Sequence, residues 1–177
     1  GGILNSAEKL ANKSEDELFR SACSRLSRLI ENGTVAIEIK SGYGLSKESE
    51  HKMLRVISRL KTEFDLPIKA TFLAAHAVPK SNKGRKDEYV KILREEWLPE
   101  FHKEGLIDYV DIFCEDNYFD VNDCKILFTK AQNLGLKIKF HVNQFNSIGG
   151  LQLLDQFDVL SADHLETLST EDIKSMA

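Results

Sequence analysis

Apolar residues recur along this chain in two alternating rhythms, one helical and one of short, nearly continuous runs. Leu10, Leu18, Cys23, Leu26, Leu29 and Ile30 form a rough stripe that predicts helix over residues 6–32. A polar Asn-Lys-Ser stretch near residue 13 interrupts it, and Asn32-Gly33 is a stop signal. Residues 34–39, Thr-Val-Ala-Ile-Glu-Ile, then read as a strand that opens into a glycine-containing loop at 40–45. Ser46 caps the next helix, which runs to about Phe64 with Met53, Leu54, Ile57 and Leu60 on one face. Asp65-Leu66-Pro67 breaks it, residues 68–75 form a second strand, and 80–86 make an exposed polar loop. An amphipathic helix over 87–105 turns Tyr89, Ile92, Leu93 and Trp97 inward, and Pro99 must kink or divide it. Strand 109–113, helix 121–134 and a fourth strand in the first half of 136–144 follow. A short helix to Gln156, a fifth strand at 159–162 and a helix capped by Ser169 complete the series.

Strands that alternate with amphipathic helices imply an α/β fold with a parallel sheet and right-handed crossovers. The apolar character of the strands agrees, because parallel strands are buried on both faces. Two architectures fit. One is an open doubly wound sheet of about five strands. The other is most of a (β/α)₈ barrel, which typically takes ~250 residues. Residue count favours the open sheet. The ends favour the barrel, since a chain that starts Gly-Gly-Ile and stops inside a helix is expected to be a piece of something longer.

Composition narrows the function more than the fold. A net charge of −4 with scattered basic residues argues against a nucleic-acid binder. No apolar run is long enough to span a bilayer, and the N-terminus lacks the pattern of a signal peptide. Cys23, Cys114 and Cys124 are odd in number and widely spaced, as expected of reduced thiols in a cytoplasmic protein. Cys114, within an apolar run, reads as core filler.

The carboxyl ends of parallel strands are where sites form in both architectures. Those ends carry Tyr43, His76, Glu115, His141 with Asn143 and Gln144, and His164. Three of the five histidines thus fall at three different strand ends, while His51 and His102 lie in helices. Singly, each residue has a bland alternative: a hydrogen-bonded structural histidine, a tyrosine packed over a turn, a carboxylate at a helix N-terminus. Together on one rim they point to a functional cluster. Neutral imidazoles suit a borderline metal such as zinc or iron, and a further imidazole near the metal's water can move protons. No nucleophile elbow and no nucleotide-binding glycine loop is present.

Four stretches carry a family resemblance. Glu38-Ile39-Lys40-Ser41-Gly42-Tyr43-Gly44-Leu45, Thr71-Phe72-Leu73-Ala74-Ala75-His76-Ala77-Val78-Pro79, Asp111-Ile112-Phe113-Cys114-Glu115 and Ser161-Ala162-Asp163-His164-Leu165-Glu166 closely resemble the imidazolonepropionases, amidohydrolase-superfamily enzymes of histidine degradation. The resemblance implies a metal-dependent (β/α)₈ barrel and hydrolytic opening of 4-imidazolone-5-propanoate to N-formimidoyl-L-glutamate. It assigns His141 to the metal, His164 to water activation or proton transfer, and Tyr43, His76 and Gln144 to the small-molecule substrate. It also implies a possible homodimer. Some members of the family have Glu where Gln144 stands; an amide cannot act as acid or base, so the proton traffic falls more heavily on His164.

The family's His-x-His pair after its first strand, its aspartate ligand near the last strand and an arginine for the substrate carboxylate have no counterpart in these residues. The expectation is therefore a central barrel segment spanning residues 1–177, inactive and poorly metallated alone, from a longer hydrolase. Two other readings stand beside it: a related deaminase of the same superfamily, and a non-catalytic five-stranded α/β binding module.

Overall fold

The computed structural model describes residues 2–176, the side chain of Ser175 excepted, and divides the first predicted helix in two. Helix α1 spans Ile3–Ala11 and α2 spans Glu15–Glu31. The break comes where Ser14 and Glu17 form a reciprocal capping box, each side chain taking the other's backbone N–H at 3.2 and 2.8 Å. Strand β1 is Ile37–Lys40, starting later than its β-branched residues suggest. Pairing with β2 begins only at Ile37, and Val35 is left 80% exposed.

Helix α3 (Lys47–Glu63) carries the expected Ser46 cap, whose hydroxyl accepts from Ser49 N–H at 3.2 Å. Strand β2 is Ile68–Ala75. The helix predicted over 87–105 is one run in three parts: α4 (Lys86–Ile92), a π turn (Leu93–Trp97) and α5 (Leu98–Lys103). Pro99 has no N–H to give the preceding turn, and the widened turn before it absorbs that loss. Strand β3 (Tyr109–Cys114), α6 (Val121–Asn133), β4 (Lys137–Val142), a 3₁₀ helix (Gly150–Asp155), β5 (Val159–His164) and α7 (Thr170–Met176) follow. Ser169 caps α7 as predicted, accepting from Asp172 N–H at 3.1 Å.

The five strands are parallel and lie in the order β1-β2-β3-β4-β5. That order decides between the two architectures. A doubly wound sheet reverses direction at a switch point so that helices cover both faces. An unreversed order with right-handed crossovers puts every helix on the same face, as in a barrel. The sheet also curls. In a flat sheet β1 and β5 would stand about 19 Å apart, yet Lys40 Nζ of β1 lies 3.2 Å from Asp163 Oδ2 of β5. The chain is a half-barrel of consecutive βα units.

Its core lies between the convex face and the helices. Ala70, Phe72 and Ala74 of β2, Val110, Ile112 and Cys114 of β3, and Ile138, Phe140 and Val142 of β4 pack there with α3, α5 and α6. Phe140 meets Phe128 of α6 edge-on at 5.1 Å. Cys114 and Cys124 are buried and free, and burial pushes the Cys124 thiol well up, as suits core filler. One sequence expectation needs correction: outside β2 the strands are not continuously apolar. β1 and β4 alternate apolar and polar residues, and Asp111 and Asp163 interrupt β3 and β5, because only the convex face is packed by helices. Among the described residues no helix is long and apolar enough to cross a membrane.

Candidate active site

Alternation along each strand brings one set of side chains onto the concave face. From β1 to β5 these are Glu38 and Lys40, Thr71, Asp111, Lys139 and His141, and Ser161 and Asp163. They form one network. Lys40 Nζ lies 2.8 Å from Asp111 Oδ2, 3.2 Å from Glu38 Oε1 and 3.2 Å from Asp163 Oδ2. Glu38 also takes the Thr71 hydroxyl and the Lys139 ammonium, and Ser161 donates to Asp163 at 3.1 Å. Burial opposes charge on Lys40, Glu38 and Asp163, but their partners outweigh it. The Lys40 ammonium is held above its ordinary range, mainly by Asp111, and the Glu38 and Asp163 carboxyls below theirs.

His141 sits at the upper edge of this network. Its backbone N–H donates to Asp111 Oδ1 at 3.2 Å. Its Nδ1 is 2.8 Å from Asp111 Oδ2, but that oxygen lies off the direction of a ring N–H, so the buried nitrogen has no hydrogen-bond partner among the described residues. The ring stands 5.3 Å from that of His164, inclined at 61°. His164 ends β5, with Nδ1 3.1 Å from Glu166 Oε1. His164 and Leu165 have φ of 78° and 57°, a left-handed pair of bulky residues that costs of order 1–3 kcal/mol each. Two main-chain bonds hold that turn: Leu165 N–H to Val142 O at 3.2 Å and Thr167 N–H to Asn143 O at 3.0 Å.

A second pair lies toward β1 and β2. Tyr43, 41% exposed, meets His76 edge-on at 5.1 Å, and Phe113 meets His76 at a near-perpendicular angle at 6.0 Å. His76 Nδ1 donates to Gly42 O at 3.2 Å. A carbonyl can only accept, so Nδ1 carries the proton and neutral His76 has Nε2 as an acceptor. Burial pushes the His76 pKa down, and neighbouring His141 and Lys40 add to that against the pull of Gly42 and Asp111. Gly42 has no room for a side chain: with φ of 95°, a Cβ there would lie 2.3 Å from Leu73 O.

The predicted residues therefore fall into two pairs, His141 with His164 and Tyr43 with His76, on one concave rim. Gln144, half-buried two residues beyond β4, makes no side-chain hydrogen bond or ion pair among the described residues. Glu115 is a loop clamp, not a helix cap. Its buried carboxylate accepts from Asp116, Phe145 and Asn146 N–H at 2.9, 2.8 and 3.3 Å and from Asn146 Nδ2 at 2.9 Å. Asn143 likewise serves its loops, its Nδ2 bonding Thr167 O and Asp172.

Asp111, His141 and Asp163 place donor atoms within 4.8 Å of one another and could hold a metal ion. Yet Lys40 already pairs with both carboxylates, which leaves His141 as the one of the three donors that Lys40 does not engage. A catalytic zinc normally takes three protein ligands. These residues fit a metal only if further ligands join His141 or Lys40 withdraws. Reading strand ends missed Lys40, Asp111 and Asp163. The signal was present: charged residues at every second position of a buried strand mark a polar inner face.

Sequential parallel βα units that curl into a half-barrel, with imidazoles at their carboxyl ends, define consecutive units of a (β/α)-barrel. No family model matches the chain. It is 50% identical over 174 residues to the imidazolonepropionase of Christiangramia forsetii, 49% over 176 residues to that of Flavobacterium johnsoniae, and 46% over 177 residues to that of Pseudomonas putida. These matches cover 98–100% of this chain but 42–44% of the relatives. Over its whole length the chain is similar to imidazolonepropionases, and it spans less than half the length of the curated relatives it matches.

Proposed function

We propose that these residues are the central barrel segment of a hydrolase that opens the ring of 4-imidazolone-5-propanoate to N-formimidoyl-L-glutamate. The observation that carries this reading is identity of 43–50% over 98–100% of this chain to proteins named imidazolonepropionase. The rim geometry is compatible with it. In the reaction a water oxygen bonds to the ring carbonyl carbon, the C–N bond breaks, and the water's proton ends on the departing nitrogen.

His164 is the proton carrier. Its ring stands beside that of His141, and an imidazole can take up a proton at one ring nitrogen and give one from the other. Tyr43 and His76 orient the substrate: a phenol can donate to it, and the neutral imidazole accepts through Nε2. A cation at His76 is disfavoured by burial, so that pair adds hydrogen bonds without fixed charge. Gln144, whose amide has no side-chain hydrogen bond among the described residues, meets the substrate in this reading as donor or acceptor. His141 would hold zinc or iron together with ligands from outside these residues. Such an ion supplies Lewis acidity that brings the pKa of water to roughly 7.

The experiment is hydrolysis of imidazolonepropanoate by the longer protein that contains these residues, run beside deamination of cytosine and guanine. Ring opening without deamination is the expected result; deamination alone, or neither activity, overturns the reading. The 177-residue chain alone is expected to be inactive and to bind zinc weakly, since it brings one uncommitted ligand. Tight stoichiometric zinc on it, in equilibrium dialysis, would contradict that.

A further inference from the structure

We propose that Glu50 is a positioning residue that holds Tyr43, and through Gly42 also His76, in the geometry that meets the substrate. This rests on the reading of Tyr43 and His76 as substrate-binding residues.

Glu50 lies in the first turn of α3 and is wholly buried. Its carboxylate has no cation within ion-pair distance among the described residues. It accepts instead from three backbone N–H groups of the loop after β1: Gly42 at 2.7 Å, Gly44 at 2.6 Å and Leu45 at 3.0 Å. Burying a charge is costly unless it is fully hydrogen-bonded, so a bare structural role would be better filled by an apolar side chain. Nor does α3 need Glu50 as its cap, because Ser46 already takes the free N–H of Ser49. The carboxylate is committed to the loop.

The loop cannot take this shape unaided. Gly42 has φ of 95° and Leu45 φ of 54°, conformations in which successive N–H groups converge and would repel without an acceptor between them. Gly44 is pressed onto α3, where a Cβ would lie 2.7 Å from Glu50 N. Tyr43 is therefore the one side chain between two clamped glycines. The same Gly42 whose N–H is held by Glu50 accepts His76 Nδ1–H through its carbonyl. Glu50 thus reaches both members of the pair: Tyr43 through its flanking N–H groups, and His76 through one residue's backbone.

The test uses the longer protein and the Glu50→Gln variant, which keeps volume but replaces one acceptor oxygen by an NH₂ that faces N–H donors. Amide hydrogen exchange of Gly42, Gly44 and Leu45 is expected to quicken about tenfold or more. The ¹⁵N signals of the His76 ring should depart from the Nδ1–H tautomer. Unchanged exchange and an unchanged tautomer overturn the proposal whether or not the enzyme turns over imidazolonepropanoate. Absence of turnover in the unsubstituted protein overturns only the functional reading beneath it. With turnover, KM should rise about tenfold while kcat changes less. In a Tyr43→Phe background the Glu50→Gln effect on KM should shrink, because the part that acts through the Tyr43 hydroxyl is already lost and only the part through His76 remains. Full additivity, or loss of kcat at constant KM, overturns the positioning role. If Glu50→Gln does not fold, Glu50→Asp keeps the charge, withdraws it by one methylene, and serves in the same measurements with the same outcomes.

Discussion

Replacing Glu115 by glutamine separates what a buried carboxylate contributes here from what its shape contributes. In the wild-type chain Oε2 accepts from Phe145 and Asn146 N–H, and Oε1 from Asp116 N–H and Asn146 Nδ2. Glutamine keeps one oxygen and turns two donors of its own toward two N–H groups, so about two charge-assisted bonds are lost. Bonds to charged groups contribute roughly 1.5–3 kcal/mol each, which gives about 3–6 kcal/mol if nothing compensates. Phe145 is 62% exposed, so water reaches that loop and reduces the cost to about 2–3 kcal/mol. For a chain of this size that lowers Tm by roughly 4–12 °C. Urea unfolding followed by fluorescence of Trp97, the one tryptophan and a buried one, measures it directly.

The pH dependence makes the test sharper. Burial opposes charge on Glu115, but the donors from Phe145, Asn146 and Asp116 outweigh it and hold the carboxyl below its usual range. A carboxyl with a depressed folded pKa adds stability that is fully present above its unfolded pKa, about 4.3, and is lost as pH falls through the folded value. The gap between wild type and Glu115→Gln should therefore be widest near neutrality and close progressively below about pH 4. A gap that stays constant from pH 7 to pH 3 would refute the reasoning, because the loss would then owe nothing to the carboxylate's charge.

Further outcomes are expected on the longer protein and on the network beneath the rim. His141→Ala should remove metal and turnover together, whereas His164→Ala should keep the metal, by elemental analysis, and lower kcat; loss of metal in the second variant would reverse the assigned roles. Tyr43→Phe should raise KM more than it lowers kcat if the hydroxyl only holds substrate, and equal losses in kcat and kcat/KM would place it in the transition state. Lys40→Met should destabilise the fold by about 2–4 kcal/mol in denaturant titration, less than a fully buried broken pair because water reaches the site. No loss of stability would mean that Asp111 and Asp163 find other partners.

Local chemistry along the chain was enough for the element series and for the rim. Ser46 and Ser169 cap the helices they were expected to cap, Pro99 distorts its helix, and the strand ends carry the predicted histidines. Caps, stops and periodicity act over a few residues, so they are written where they act. The same locality explains the errors. The polar stretch near residue 13 is a full break because Ser14 meets Glu17 in a capping box. β1 begins at Ile37 and not Thr34 because a strand ends where its neighbour stops pairing, which β-propensity alone does not encode.

The amino-acid sequence by itself determined that this is an alternating α/β chain, that its parallel strands end in Tyr43, His76, His141 and His164, and that its motifs are those of the imidazolonepropionases. Only the tertiary structure decided that the strands run in unreversed order and curl, because strand order depends on where each crossover lands. Curling is what joins Lys40 to Asp111, 71 residues away, and to Asp163, 123 residues away. Partners so distant leave no mark on local periodicity. The same tertiary structure sorts the rim into a His141–His164 pair and a Tyr43–His76 pair, and brings buried Glu115 the loop at Phe145 and Asn146 that it holds.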